Sequence, residues 1–216
     1  MNSYQLFSGI DKADMTQMLH CMNAQYRDIP AGKTIFTYQD RIDRIAVLQS
    51  GSARIYTIDP DGTYSLIELL HDNDVFGEMF TRSLGSLVYI AQADEDCRVM
   101  FLSCEALLHQ CANTCSAHRQ LLRNLLEITS QKMQQMALHI NILTRKTVRQ
   151  KLLTYLEHQQ QTAGSSRFRI DMTLSDLAIY LNADRSSLMR ELRHLKAEGY
   201  LESSGRNFRI NKSVPV

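Results

Sequence analysis

The 216-residue chain is too long for a single small core and suits two modest domains. Its composition, 44% hydrophobic and 22% charged, is that of an ordinary globular protein, and no apolar run approaches the roughly 20 residues that a membrane span needs. The N-terminus lacks the basic and apolar regions of a signal peptide, so we expect a cytoplasmic protein that does not enter the membrane.

Charge is unevenly divided along the chain. Residues 1–143 carry 11 Lys and Arg against 16 Asp and Glu, whereas residues 144–216 carry 13 against 7. An acidic first part followed by a basic second part is typical of a sensor joined to a nucleic-acid-binding module.

Between residues 27 and 102, short apolar runs alternate with turn signals. Runs rich in β-branched and aromatic residues predict strands at residues 34–38, 45–48, 53–58, 65–70, 88–91 and 98–102. Turn sequences such as Asp59-Pro-Asp-Gly62 separate them. This pattern predicts an all-β roll or barrel of roughly 75 residues, large enough for its own core.

After Ser103 the apolar period becomes helical. Spacings of four and three alternate along a stripe, which we call the seam, made of Leu122, Leu126, Thr129, Met133, Met136, Ile140 and Leu143. Such a stripe predicts that a long helix pairs with its copy in a second chain. The alternative is that the seam packs on the β domain of the same chain.

A helix-turn-helix pattern follows a break at residues 144–147, a helix over about 148–160 and a short strand at 168–170. Thr173 and Asp176 form a capping pattern for one helix, Asn182 supplies a turn with positive φ, and Asp184 is predicted to cap a second helix.

The second helix has an apolar face of Leu188, Leu192 and Leu195 and a basic outward face, which suits the major groove of DNA. Residues 200–210 then predict a hairpin, or wing, around residues 204–207. The predicted DNA-contacting side chains are Arg185, Ser186, Met189, Arg190 and Arg193 on the helix, and Arg206 and Arg209 on the wing.

The sequence resembles the cyclic-AMP receptor protein/FNR (Crp/Fnr) superfamily of bacterial transcription regulators nearly from end to end. The resemblance lies in Ile29-Pro-Ala-Gly32-Lys, Val47-Leu-Gln-Ser-Gly51, Asp74-Val-Phe-Gly77-Glu78 and residues 173–201. It implies an α+β fold with a cyclic-nucleotide-binding-like β-roll (1–115), a dimerisation helix (116–143) and a winged helix-turn-helix (144–216).

The resemblance also implies a homodimer on a two-fold symmetric double-stranded operator, and we expect RNA polymerase as a partner. Ser186 replaces a glutamate that is usual in the family, so the operator sequence does not carry over.

In the β-roll, Gly77 and Glu78 resemble the start of a cyclic-nucleotide phosphate cassette, and Thr129 and Ser130 match the helix pair that contacts adenine. Cyclic-nucleotide binders need an Arg about ten positions later, where this chain has Leu87 and Val88. A buried phosphate without a cation is costly, so we expect that cyclic AMP is not the effector.

Five cysteines in a chain without an export signal favour reduced thiols or metal ligands over disulfides. Cys97 matches a cysteine of FNR-like iron–sulfur sensors, but their N-terminal cysteine cluster is missing because only Cys21 is present.

A different set could hold a metal, an iron–sulfur cluster or a redox pair: Cys104, Cys111, Cys115 and His118. The alternative is that these cysteines are small apolar residues and that His118 is a solvated helix residue. Haem is a third candidate, with His20, His71, His109 or His118 as axial ligand.

The leading hypothesis is a homodimeric transcription regulator controlled by a small-molecule or redox/metal signal. The alternative is a constitutive regulator whose β-roll is only a dimer scaffold. We expect no enzymatic activity and assign no catalytic residues, because no Gly-rich phosphate loop and no clustered catalytic set is present in the sequence.

Overall fold

The computed structural model describes residues 5–38, 43–59, 61–62, 64–77, 88–108 and 116–211. The chain divides into two compact units, Met1–Met133 and Gln134–Val216, with the boundary inside one long helix. None of the described helices is both long enough and apolar enough to cross a membrane.

The first unit is built on two four-stranded antiparallel sheets, with strand orders β1-β8-β3-β6 and β2-β7-β4-β5. The strands are β1 (Gln25–Ile29), β2 (Thr34–Tyr38), β3 (Arg44–Ser50), β4 (Ala53–Ile58), β5 (Tyr64–Leu70), β6 (Val75–Phe76), β7 (Tyr89–Ala93) and β8 (Cys97–Ser103).

Strand β3 is buried on both faces, which explains its continuous apolar run. Ala46 and Leu48 pack in a core that draws on both sheets, while Ile45 and Val47 pack in a second core against helices. The described helices of this unit are a 3₁₀ turn (Gln5–Phe7), α1 (Lys12–Cys21), α2 (Cys104–Leu108) and the first part of α3 (Ser116–Leu143).

The second unit has one core shared by helices and a small sheet. After the end of α3 come α4 (Val148–Ala163), β9 (Arg167–Arg169), α5 (Leu174–Tyr180), α6 (Arg185–Ala197), β10 (Leu201–Ser204) and β11 (Asn207–Ile210). The three strands form an antiparallel sheet in the order β10-β11-β9.

The predicted α+β architecture is confirmed: a β-sheet domain, a long helix, and a helix-turn-helix with a wing. All six strands predicted for the β domain are present: two have the predicted ends, and the ends of the other four differ by one or two residues. Strands β1 and β6 and helices α1 and α2 were not predicted from the sequence. Helix α4 was predicted to end at about Gln160, but it continues to Ala163 and stops at Gly164, which lies in the left-handed region. The division at residues 115 and 143 stays a prediction.

Candidate DNA-binding interface and effector site

The helix-turn-helix begins with the predicted cap. The Thr173 hydroxyl accepts a hydrogen bond from the Asp176 amide at 3.1 Å and donates one to the Asp176 carboxylate at 2.7 Å. Asn182 occupies the turn between α5 and α6 with φ of +45°, as predicted. These local bonds fix where α5 starts and where the chain reverses toward α6.

The prediction that the Asp184 side chain caps α6 is wrong. Asp184 has the backbone conformation of an N-cap residue for α6, but its exposed side chain makes no capping hydrogen bond. The capping pattern identifies the position correctly but does not determine the side-chain rotamer, and solvent can satisfy this carboxylate.

The α6 helix separates a buried apolar face from a basic exposed face. Leu188, Leu192 and Leu195 are buried in the core of the second unit, as predicted. The opposite face exposes all five of the predicted helix residues, namely Arg185, Ser186, Met189, Arg190 and Arg193. The leading half of α6 therefore offers two guanidinium groups, from Arg185 and Arg190, to an outside partner.

The predicted wing residues are exposed on the β10–β11 hairpin. Arg206 lies in its turn and donates to the backbone oxygen of Asp171 at 3.2 Å, while Arg209 lies 3.7 Å from the Glu202 carboxylate. Phe208 and Phe168 stack on the other side of the sheet, with ring centroids 6.0 Å apart.

Two side-chain hydrogen-bond donors from other helices hold the end of α5, and neither was predicted from the sequence. The His139 Nε2 lies 2.7 Å from the Tyr180 carbonyl oxygen, and the two rings stack with centroids 3.8 Å apart. Lys151 Nζ lies 3.0 Å from the Leu181 carbonyl oxygen and 3.4 Å from that of Asn182. The last carbonyls of a helix lack partners within the helix, so these donors fix the turn that orients α6.

A further ion pair joins α4 to the end of α6. Arg149 donates through both terminal nitrogens to the Glu198 carboxylate, and one of these bonds measures 2.8 Å. A planar guanidinium that pairs with both carboxylate oxygens sets an orientation as well as a distance. The partners are 49 residues apart, and no local pattern could have predicted their contact.

Five of the seven seam residues are exposed in the single chain, and Thr129 and Met136 are half-buried. Leu126, Met133 and Ile140 are 66%, 58% and 62% exposed. A different face packs inside the first unit, where Leu121 and Ile128 are buried. Within the first unit, the β domain therefore leaves the seam residues Leu126 and Met133 uncovered.

The polar contact that attaches α3 to the first unit is made by Asn124. Its buried side chain donates to the carbonyl oxygens of Leu6 and Ser8 at 2.9 and 2.8 Å. This contact ties the N-terminal turn to the helix.

Four of the six predicted effector residues lie in the described part of the chain. Gly77 is buried with φ of +94°, Val88 accepts from the Thr57 hydroxyl at 2.8 Å, and Thr129 donates to the Leu125 carbonyl oxygen at 2.8 Å. Ser130 is half-buried on α3. Glu78 and Leu87 lie outside the described residues.

A mostly buried cation near this region was not predicted from the sequence. Lys132 of α3 pairs with the Glu68 carboxylate of β5 at 2.8 Å and also donates to the Val75 carbonyl oxygen. Both side chains are mostly buried, so the pair connects α3 with strands β5 and β6.

The structure describes two of the four predicted metal ligands, Cys104 and His118. Cys104 is buried in the apolar core, and His118 is also buried, with Nε2 2.9 Å from the Leu107 carbonyl oxygen. The reading of His118 as a solvated residue is therefore wrong. Cys111 and Cys115 lie outside the described residues, and within the described ranges no three His, Cys, Asp or Glu side chains converge as metal ligands.

The other sensor candidates have ordinary surroundings where they are described. Cys97 is buried, and burial followed by the nearby Glu95 charge raises the pKa of its thiol, which disfavours the reactive thiolate. Cys21 and His20 are exposed on α1, and His71 lies 3.8 Å from the Asp74 carboxylate. His109 lies outside the described residues.

Two domain families match the chain in the order of its two units. The cyclic nucleotide-binding domain matches residues 26–114, and the Crp-like helix-turn-helix domain matches residues 150–212. The chain belongs to the Crp/Fnr superfamily. As a Crp/Fnr protein it is a transcription regulator that combines a cyclic nucleotide-binding domain with a DNA-binding helix-turn-helix.

Similar Crp/Fnr proteins cover most of the chain at low identity. The CRP-like cAMP-activated global transcriptional regulator of Mycobacterium tuberculosis is 23% identical over 209 residues, which are 96% of this chain and 92% of that protein. The transcriptional activator protein FnrA of Stutzerimonas stutzeri is 22% identical over 195 residues, or 87% and 77% of the two chains. The solved structure of FixK2 from Bradyrhizobium japonicum superposes with a TM-score of 0.64 at 22% identity, and covers 88% of this chain and 93% of that one.

The contact of His139 with α5 predicts a pH dependence of stability. Burial lowers the pKa of His139 from its ordinary value of 6.5, although the bond to the Tyr180 carbonyl opposes this. The folded state then binds fewer protons than the unfolded state, so this stability is present above pH 6.5 and is lost as the pH falls below it. Urea unfolding between pH 7.5 and 5 should show a shallower pH dependence in His139→Gln than in the wild type. Equal pH dependence in both proteins would contradict this account of the contact.

Proposed function

We propose that this Crp/Fnr regulator acts as a homodimer on a two-fold symmetric DNA operator and that its β domain responds to a signal other than cyclic AMP. The observation that carries the proposal is the division of α6, whose leucine face is buried while its leading half exposes Arg185 and Arg190. An arginine at this end of a helix in the major groove can bond a guanine through both O6 and N7.

The exposed seam supports the dimer. Seven positions with spacings of four and three run along α3 from Leu122 to Leu143, which is about 32 Å of helix at 1.5 Å per residue. Large apolar side chains such as Leu126 and Ile140 gain little free energy unless another surface covers them. The regular period favours a second copy of the same helix, because two seams of equal period interdigitate along their whole length.

Changing Met133 and Met136 together to Lys should dissociate the dimer, because four like charges would then meet across the two-fold axis. Light scattering measures the mass directly. The matched control is Gln134→Lys/Gln135→Lys, which adds the same charge at exposed positions off the seam and should stay dimeric. A dimeric Met133→Lys/Met136→Lys protein would show that the seam assignment is wrong.

The two groups of arginines should differ in their effects on DNA. Arg185→Ala should weaken operator binding by about 1–3 kcal/mol and flatten the preference among sequences, because it removes a base contact. Arg206→Ala should weaken all DNA alike and lower the salt-dependence slope by about one unit per contact, because a phosphate contact releases counterions.

Selection from a random DNA pool, followed by titrations at several salt concentrations, measures both effects. Two helices about 34 Å apart predict an inverted repeat with half-sites about one helical turn apart. A recovered motif without two-fold symmetry, or equal loss of sequence preference in both variants, would count against this division.

Two features of the effector domain argue against cyclic AMP, although the Mycobacterium tuberculosis relative is named as cAMP-activated. The sequence has Leu87 and Val88 where a phosphate-binding Arg would stand. The mostly buried cation nearby, Lys132, already pairs with Glu68 and donates to the Val75 carbonyl oxygen. Binding a cyclic phosphate there would therefore require breaking an existing ion pair.

Calorimetric titration with cyclic AMP should give weak binding or none. Micromolar binding that disappears in Glu78→Ala would refute this expectation.

Iron, zinc and acid-labile sulfide contents, with a visible spectrum of anaerobically prepared protein, test the other proposed signals. A metal lost in Cys111→Ser/Cys115→Ser would support the cysteine site, and a haem spectrum would favour haem. Background metal content would end the metal hypothesis and leave a small-molecule signal or a constitutive regulator. RNA polymerase is the proposed further partner of the DNA-bound dimer.

A further inference from the structure

Strand β9 adds two arginines to the wing that the hairpin alone does not contain. It pairs antiparallel with β11, which sets Arg167 opposite Arg209 and Arg169 opposite Asn207. Because side chains alternate along a strand, Arg167 and Arg169 share one face of the sheet and Phe168 lies on the other. Phe168 stacks on Phe208 and packs against the core of the second unit, so the arginine face is the one exposed to solvent.

This face is continuous with the wing turn. The amide of Ile170 donates to the Arg206 carbonyl oxygen at 3.0 Å, and the Arg206 side chain donates to the Asp171 carbonyl oxygen at 3.2 Å. The end of β9 therefore lies beside the turn that carries Arg206. We use the name wing face for the exposed surface formed by Arg167, Arg169, Arg206, Asn207 and Arg209.

The charges of the wing face are poorly balanced within the protein. Arg167 and Arg209 are direct cross-strand neighbours, and like charges in this position destabilise a sheet. Glu202 offsets one of them from the third strand, 3.7 Å from Arg209, and both partners are largely exposed. Within the described part of the chain, neither Arg167 nor Arg169 makes an ion pair. An external anion between the arginines would relieve the repulsion.

The shape and composition of the face indicate which anion fits. Guanidinium groups in a row, flanked by the hydroxyl of Ser204 and the amide of Asn207, match the oxygens of phosphodiesters. The face presents no aromatic ring on which a base could stack, because both phenylalanines point to the other side. These features suit the backbone of double-stranded DNA rather than an unpaired strand.

We propose that Arg167 and Arg169, together with Arg209, bind backbone phosphates of the DNA next to each half-site and extend the contact made by the wing turn. This inference rests on the proposed DNA-binding function, and it assigns a role to a strand outside the hairpin. The contact adds affinity without adding sequence preference, because phosphates carry no direct base information.

The test compares salt titrations of the full-length protein on operator and on random duplex. Arg167→Ala/Arg169→Ala should weaken binding to both duplexes by the same factor and reduce the salt slope by about two units per chain. Its melting temperature should not fall, because one of the two changes removes a like-charge pair. Arg167→Lys/Arg169→Lys should retain the slope, since the charge is kept.

Lys12→Ala/Lys33→Ala is the matched control, because it removes two exposed positive charges from the first unit. It should leave the salt slope unchanged, and an equal loss in this control would show a net-charge effect and overturn the proposal.

Three further outcomes would overturn it. An unchanged slope and affinity in Arg167→Ala/Arg169→Ala would reject the wing-face contact, while operator selection by α6 would still support the proposed function. Loss of operator preference at an unchanged slope would mean that these arginines read bases. A wild-type protein that selects no operator would contradict both the proposed function and this extension of it.

Discussion

The long helix α3 has to satisfy three surfaces at once, and this constraint organises the rest of the structure. One face is buried inside the first unit through Leu121 and Ile128, with Asn124 hydrogen-bonded to the N-terminal turn. Farther along, Ile142 is buried in the core of the second unit. Another side carries the seam, most of which is exposed. Because 3.6 residues make a turn, Ile142 lies five turns after Asn124 on the same side of the helix, so the buried residues and the seam do not compete for the same positions.

The orientation of α6 is set by hydrogen bonds and an ion pair between the helices of the second unit. His139 of α3 and Lys151 of α4 donate to the last carbonyls of α5, and Arg149 of α4 pairs with Glu198 at the end of α6. The turn before α6 and the residue after it are therefore both attached to neighbouring helices. With the leucine face held in the core, the arginines of the leading half can point only outward. The position of α6 therefore depends on defined hydrogen bonds from α3 and α4.

How well the sequence predicted a feature depended on how far apart along the chain the interacting residues lie. The apolar run of β3, the Thr173 cap, the Asn182 turn and the leucine face of α6 depend on neighbours within a few residues, and all were predicted. Strand β1 was missed because its side chains are mostly exposed and polar, and β6 because it has two residues.

Long-range polar contacts could not be predicted from local patterns. The Lys132–Glu68 pair and the Arg149–Glu198 pair each join elements far apart in the chain, and nothing near either residue signals its partner. The role of β9 belongs to the same class: its sequence predicted a strand, but only the pairing with β11 placed Arg167 beside Arg209. The candidate effector residues followed mainly from the family resemblance, since a pocket is formed by side chains that fold together from distant segments.

Disulfide cross-linking at the seam tests most directly the claim that α3 pairs with its own copy. In a parallel two-fold seam, residue 133 of one chain faces residue 133 of the other, within the Cα separation of about 4.4–6.8 Å that a disulfide requires. Mild oxidation of Met133→Cys should give a covalent dimer on non-reducing gels, and the neighbouring exposed variant Gln134→Cys and the wild type should not. Absence of the covalent dimer in Met133→Cys, or equal cross-linking in Gln134→Cys, would contradict the proposed pairing of α3.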